Sequence, residues 1–294
     1  MRDGVVGDQR HGHTRNERLL RSAFFLVAGF MVVEAVGGWL ANSLTLLADA
    51  GHMLLDASAL GLSWLAMRLS RRESTARLTY GYDRFQVLAA FINALALFGL
   101  SGAIVYEAFG RLGAPEPMLP IPALAVAAVG FVINVVVYRM LHGSDNLNVR
   151  SAALHVLGDL LGSVAAMAAA GCVLLFGWLY ADPILALVIA AILIRGAGRI
   201  LRESGYILLQ GVPANLDLDE VRAALTSDVV GVVDVHGMHA WALTNEKALV
   251  TLHATIDSAT DGQSATNAIK DLLADRFGID HSTVQIEHGG CPDT

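Results

Sequence analysis

The chain of 294 residues is 54% hydrophobic and only 16% charged, with a mean hydropathy of +0.53. A soluble domain carries about 25% charged residues, so a bilayer is the main solvent. The net charge of −7 is uneven: residues 211–294 hold 4 Lys+Arg against 13 Asp+Glu, a net of −9, while residues 1–210 hold 16 against 14. That acidity excludes nucleic acid as a partner of the C-terminal segment, and two cysteines, Cys172 and Cys291, make no disulfide framework.

Residues 1–21 form a polar arm with Arg2, Arg10, Arg15, Arg18 and Arg21, expected to be disordered and cytoplasmic. The apolar run after it is a full span long and lacks a small-residue cleavage site, so it reads as an uncleaved first helix. A spanning helix needs ~20 mostly apolar residues. Six stretches qualify: 22–41, 44–69, 86–110, 119–141, 151–177 and 183–201. Asn42-Ser43 separates the first two. Pro115, Pro117, Pro120 and Pro122 mark the third connection, Gly143-Ser144-Asp145-Asn146 the fourth, and Asp182-Pro183 starts the last helix.

Arginine orients these spans, because cytoplasmic connections carry the excess of Lys and Arg. Arg68, Arg71, Arg72, Arg77 and Arg84 mark the second connection, Arg139 and Arg150 the fourth, and Arg195, Arg199 and Arg202 follow the sixth helix. The first and fifth connections have none and the third only Arg111. Both termini are expected in the cytoplasm. The transmembrane domain is expected over 22–205 and a cytoplasmic, metal-reading domain over 206–294.

In that last segment Pro213–Leu225 reads as a helix, Val229–His236 and Ala248–Asp257 as strands, Ser264–Phe277 as a second helix and Ser282–His288 as a last strand. The middle strand alternates. Leu249, Thr251, His253 and Thr255 fall on one face; Val250, Leu252, Ala254 and Ile256 fall on the other. The order αββαβ predicts a small α+β open sandwich.

The second span contains His52 and Asp56 and the fifth contains His155 and Asp159, each pair as His-x-x-x-Asp. At i, i+4 the two side chains share one helix face, and ionisable groups within a span mark function. The second helix runs inward and the fifth outward. If they are neighbours, His52 faces Asp159 and Asp56 faces His155. Two imidazoles and two carboxylates then supply four nitrogen and oxygen ligands of about −2 charge, a set that suits a divalent ion such as zinc. Asp49 lies on the same stripe, as an outer-shell or helix-start group, or as the base of a catalytic metal. Glu34, in the first helix, either bonds a neighbour or lines the ion path.

The chain resembles the cation diffusion facilitator family, its zinc-transporting branch in particular. The matching stretches are Asn42–His52, Tyr80–Phe85, Asn148–His155, Trp178–Ile184 and Leu208–Pro213, in order along nearly the whole chain. The resemblance implies a homodimer in the cell (inner or plasma) membrane, six helices per protomer and a ferredoxin-like cytoplasmic domain. It implies zinc efflux coupled to inward protons, with the transport site on His52, Asp56, His155 and Asp159. No enzymatic activity is expected; an intramembrane metalloenzyme, a flux-free zinc sensor and a broader cadmium, cobalt, iron or manganese exporter are the alternatives.

The resemblance also places a cytoplasmic, regulatory zinc site on His236, His253 and His288, with Cys291 in reach and His239 either a ligand or a packing group. Two departures from the family stand out. Arg71–Arg77 and Tyr82 lack the ligands that some members carry after the second helix, so no metal is expected there. Arg84 fits a basic dimer-locking role, but Gln210 stands where its acidic partner belongs. His11 and His13, in the arm, read as inert or as a weak metal collector.

Overall fold

The computed structural model describes the backbone of residues 3–70, 75–142, 147–244 and 247–289, and the side chains within those segments apart from 3–21, 56, 59–70 and 147–155. Six long helices come first: α1 (Asp3–Ala41), α2 (Leu44–Ser70), α3 (Asp83–Gly113), α4 (Pro120–Leu141), α5 (Leu147–Phe176) and α6 (Ala181–Leu208). Among the described residues, five stretches have the length and composition to cross a membrane: Ser22–Ala41, Asp83–Gly113, Pro120–Leu141, Val156–Phe176 and Ala181–Leu208; α2 shows the shorter apolar run Leu44–Leu55. The helical backbone of α1 continues back to Asp3, through the arm that reads as disordered from its composition.

The breaks have local causes. Asn42 takes a positive φ of 54° between α1 and α2, a conformation asparagine tolerates. Arg111 of α3 holds that turn. Its Nη1 donates to the Asn42 carbonyl at 2.8 Å and its Nη2 to Asn42 Oδ1 at 2.7 Å. Pro120 opens α4, where its missing N–H costs nothing.

The chain forms two compact units, Met1–Gly61 with Ile92–Arg199, and Leu62–Phe91 with Ile200–Thr294. In the first, Ala23, Val137, Leu141 and Val156 join α1, α4 and α5, and Leu44, Ala48, Ile104, Ala108, Ala186 and Ala190 join α2, α3 and α6. Lipid gives no hydrophobic drive between helices, so close packing of small side chains holds them; alanine supplies it here. Many large apolar side chains point outward, among them Phe25, Trp39, Val132 and Ile192.

The second unit contains α7 (Leu218–Asp228), β1 (Val232–Ala242), β2 (Ala248–Ile256), α8 (Gly262–Phe277) and β3 (His281–Glu287), in the sheet order β1-β2-β3. The pair β1–β2 is antiparallel and β2–β3 parallel. α7 starts at Leu218 rather than at Pro213, because Asp217 caps it by accepting from the Asp219 and Glu220 amides. Val250, Leu252, Ala254 and Ile256 face a core shared with Val221, Leu225, Ile269 and Leu273 of the helices. The other sheet face is left to Thr251, His253 and Thr255. Near α3's start, Lys247 Nζ pairs with Asp83 at 2.6 Å and the His281 ring meets Tyr80 edge-on at 5.9 Å.

Candidate metal centres

The first candidate lies among the long helices. α2 carries His52 and Asp56, and α5 carries His155 and Asp159. The side chains of Asp56 and His155 lie outside the described residues. His52 is half-buried and Asp159 is buried. Two further buried acids sit beside them. They are Glu34 of α1 and Asp49 of α2, both fully or almost fully buried. Gly162 of α5 makes room for this arrangement, since a Cβ there would collide with the Asp49 carboxylate. α2 and α5 are therefore in direct contact one turn from His52 and Asp159.

The second candidate is on the open face of the sheet. His236 of β1 is the cross-strand partner of His253 of β2, and their ring centroids are 5.5 Å apart. Glu287, near the end of β3, points between them. His253 Nδ1 is 2.9 Å from its Oε1, and His236 Nε2 is 3.2 Å from its Oε2. One ligand atom from each of the three residues lies within 4.8 Å of the others. Asp234 accepts from His236 Nδ1 at 2.9 Å. That contact turns the Nε2 lone pair toward Glu287, as an outer carboxylate does for a metal-bound histidine.

Gly237 shapes this face. Its φ of +57° makes a bulge between His236 and His239, in the conformation glycine adopts at little cost. The extra residue resets the alternation, so that Val235, Met238 and Ala240 all pack into the core. His236 and His239 both fall on the opposite face, yet His239 is exposed and stands outside the trio.

Of the three residues the resemblance places at this site, the structure brings His236 and His253 together and puts Glu287 where His288 was expected. His288 is exposed, one residue past the strand. The reason is the two-residue period of a strand: neighbours in sequence cannot share a face. Glu287 was legible by that rule, because it falls in step with Gln285, the register partner of His253. The side chains of His11, His13 and Arg68 lie outside the described residues, as do Cys291 and residues 71–74 of the loop after the second helix.

Two family models match in sequence order: the cation efflux transmembrane domain over residues 20–209 and the cation efflux protein cytoplasmic domain over 213–289. The chain is 43% identical over 291 residues to the zinc transporter ZitB of Escherichia coli (strain K12), covering 96% of this chain and 93% of that one. It is 35% identical to a cadmium, cobalt and zinc/H(+)-K(+) antiporter of Bacillus subtilis (strain 168), covering 94% and 91%. Among solved structures, the metal-bound C-terminal domain of the CzcD transporter from Cupriavidus metallidurans matches at 38% identity and a TM-score of 0.23, over 24% of this chain and 99% of that domain.

Proposed function

The chain belongs to the cation efflux, or cation diffusion facilitator, family, and from that premise we propose that it exports zinc from the cytoplasm in exchange for protons. The relatives named for zinc transport and for proton-linked antiport support the cargo and the coupling. The observation that carries the reading is the contact of Asp49 with Gly162. In antiparallel helices, equal steps from a contact stay level. One turn inward from 49 and 162 are residues 52 and 159, and the next turn brings 56 and 155. The register thus supports a four-ligand site from His52, Asp56, His155 and Asp159.

Six spans with both termini in the cytoplasm fit the arginine pattern. Alternating access then needs one site that opens to either side. Facing the cytoplasm, the carboxylates and neutral imidazoles take zinc as they lose protons. Facing outward, protons displace it. Histidine suits the exchange because its unperturbed pKa is ~6.5. Zinc uptake into proteoliposomes under a pH gradient tests this: H52A and D159A lose uptake, and a D159A variant as active as wild type would sink the assignment. Running cadmium, cobalt, iron and manganese in parallel measures the breadth of the cargo.

The cytoplasmic domain reads as a ferredoxin-like regulatory module of a homodimer, with His236, His253 and Glu287 holding a resident zinc. The donor set fits: two imidazoles and a carboxylate within 4.8 Å are the nitrogen and oxygen ligands zinc takes in three-ligand sites. Bound zinc would supply positive charge there. The chain's own part is to present the three ligand atoms, with Asp234 orienting His236.

A further inference from the structure

One buried carboxylate has no role in the transport cycle described above. Asp182 opens α6 and is 2% exposed. Its side chain sits on the first turn of α2. Ser43 Oγ donates to Asp182 Oδ1 at 2.8 Å, the Thr45 amide to Oδ1 at 3.1 Å, and the Leu44 amide to Oδ2 at 2.7 Å. The Thr45 hydroxyl adds a bond to the Asp182 carbonyl at 3.0 Å. Ser43 Oγ also accepts from the Leu46 amide at 3.4 Å, so serine and aspartate divide the cap between them.

The first amides of any helix lack partners within it. At the end of a water-exposed helix, solvent serves them. Here Ser43, Leu44 and Thr45 are all buried, and an unmet donor away from water is costly. The carboxylate comes from a different helix, so it ties α2 to α6. It also sits at the positive end of the α2 dipole, where an anion is favoured.

The geometry points to Asp182 as a positioning residue for transport: a cap donated by α6 that holds the N-terminus of α2 and so sets the place of His52. Seven residues separate Thr45 from His52, about 10 Å along the helix, so the carboxylate acts through α2 and does not touch the cargo. What it supplies is two acceptor oxygens, Oδ1 to Ser43 Oγ and the Thr45 amide and Oδ2 to the Leu44 amide. This inference rests on the zinc-transport reading.

Full-length wild type, D182N and D182A are compared in proteoliposomes for proton-driven zinc uptake, and in detergent for amide exchange at residues 44 and 45. D182A leaves the donors unmet, so uptake falls at least about tenfold, the scale of a misplaced binding group, and both amides exchange faster. Asparagine keeps one acceptor oxygen and turns an NH2 donor toward the other site, so D182N loses part of the clamp: its uptake falls between wild type and D182A, at least one of the two amides exchanges faster, and its pH profile is unchanged. A D182N variant that loses uptake while both amides exchange as in wild type, or one with a shifted pH profile, would mean that the charge itself is used on the cation path and would overturn the clamp. So would D182A with wild-type uptake and wild-type exchange. If D182A does not fold, D182N decides alone. Wild type that moves no zinc sinks the transport reading, while the exchange arm still reads the clamp.

Discussion

At the scale of single residues, the cytoplasmic centre turns on which carboxylate or imidazole ends β3. Glu287 lies between His236 and His253, and His288 is exposed. We expect E287A to weaken zinc binding to the cytoplasmic domain about 100-fold and H288A to leave it within error. Calorimetry on full-length protein carrying D159A, a variant proposed to silence the transport site, separates the two. Equal losses for both would overturn the assignment. Asp234 acts one step removed. D234A should cost about 10-fold through His236 orientation, less than either ligand's removal. The pair His236 and His253 came from the family resemblance, and strand alternation by itself said only that His253 lies opposite the face of Val250, Leu252, Ala254 and Ile256. The resemblance points to the neighbouring imidazole of His288, whereas strand alternation selects Glu287.

At the scale of elements, two contacts decide how helices meet. Gly162 lets α5 approach Asp49 of α2. G162A therefore overpacks the contact and should cost about 1–3 kcal/mol of stability. Adding D49A removes the colliding carboxylate and should recover part of that loss, a coupling read by thermal unfolding of the double mutant against the singles. No recovery would show that Gly162 is needed for another reason.

The start of α8 gives a pH prediction. The Ser264 amide and hydroxyl donate to Asp261 and hold its carboxyl below the usual range, and Thr260 and Ala259 do the same for Asp257. A carboxyl with a lowered folded pKa stabilises the fold above its unfolded value, ~3.9. That contribution is lost as pH falls through the folded value. Amide exchange in α8 should accelerate below about pH 4, and D261N should flatten that acid dependence. The α8 boundary was legible from its sequence within two residues. The α7 start was not: apolar spacing runs back to Pro213, while the helix begins where Asp217 satisfies the first amides.

At the scale of the whole molecule, the acidity of residues 211–294 sets the regulatory prediction. Two copies of a segment with a net charge of −9 repel one another at short range. A zinc ion bound at each trio would reduce that repulsion. The distance between the two domains of a homodimer, measured by spin labels on α8, should shorten on adding zinc and stay long in the H253A variant. A distance that ignores zinc would remove the regulatory role and leave the transport site untouched.

The sequence by itself determined the solvent, the long apolar character of most of the segments, and the paired His-x-x-x-Asp motifs, and its arginines set the expectation of alternating sidedness. These follow from local rules: span length, arginine placement, and the helical period that sets i and i+4 on one face. The family also followed from the chain alone, through motifs spread along its length. Only the tertiary structure decided that Asp182 caps a helix 137 residues away, that Gly162 seats Asp49, and that Glu287 completes the His236–His253 pair. Each joins residues from different elements. Buried donors must find acceptors and close-packed backbones must avoid collision, and which distant residue meets those needs depends on the packed fold.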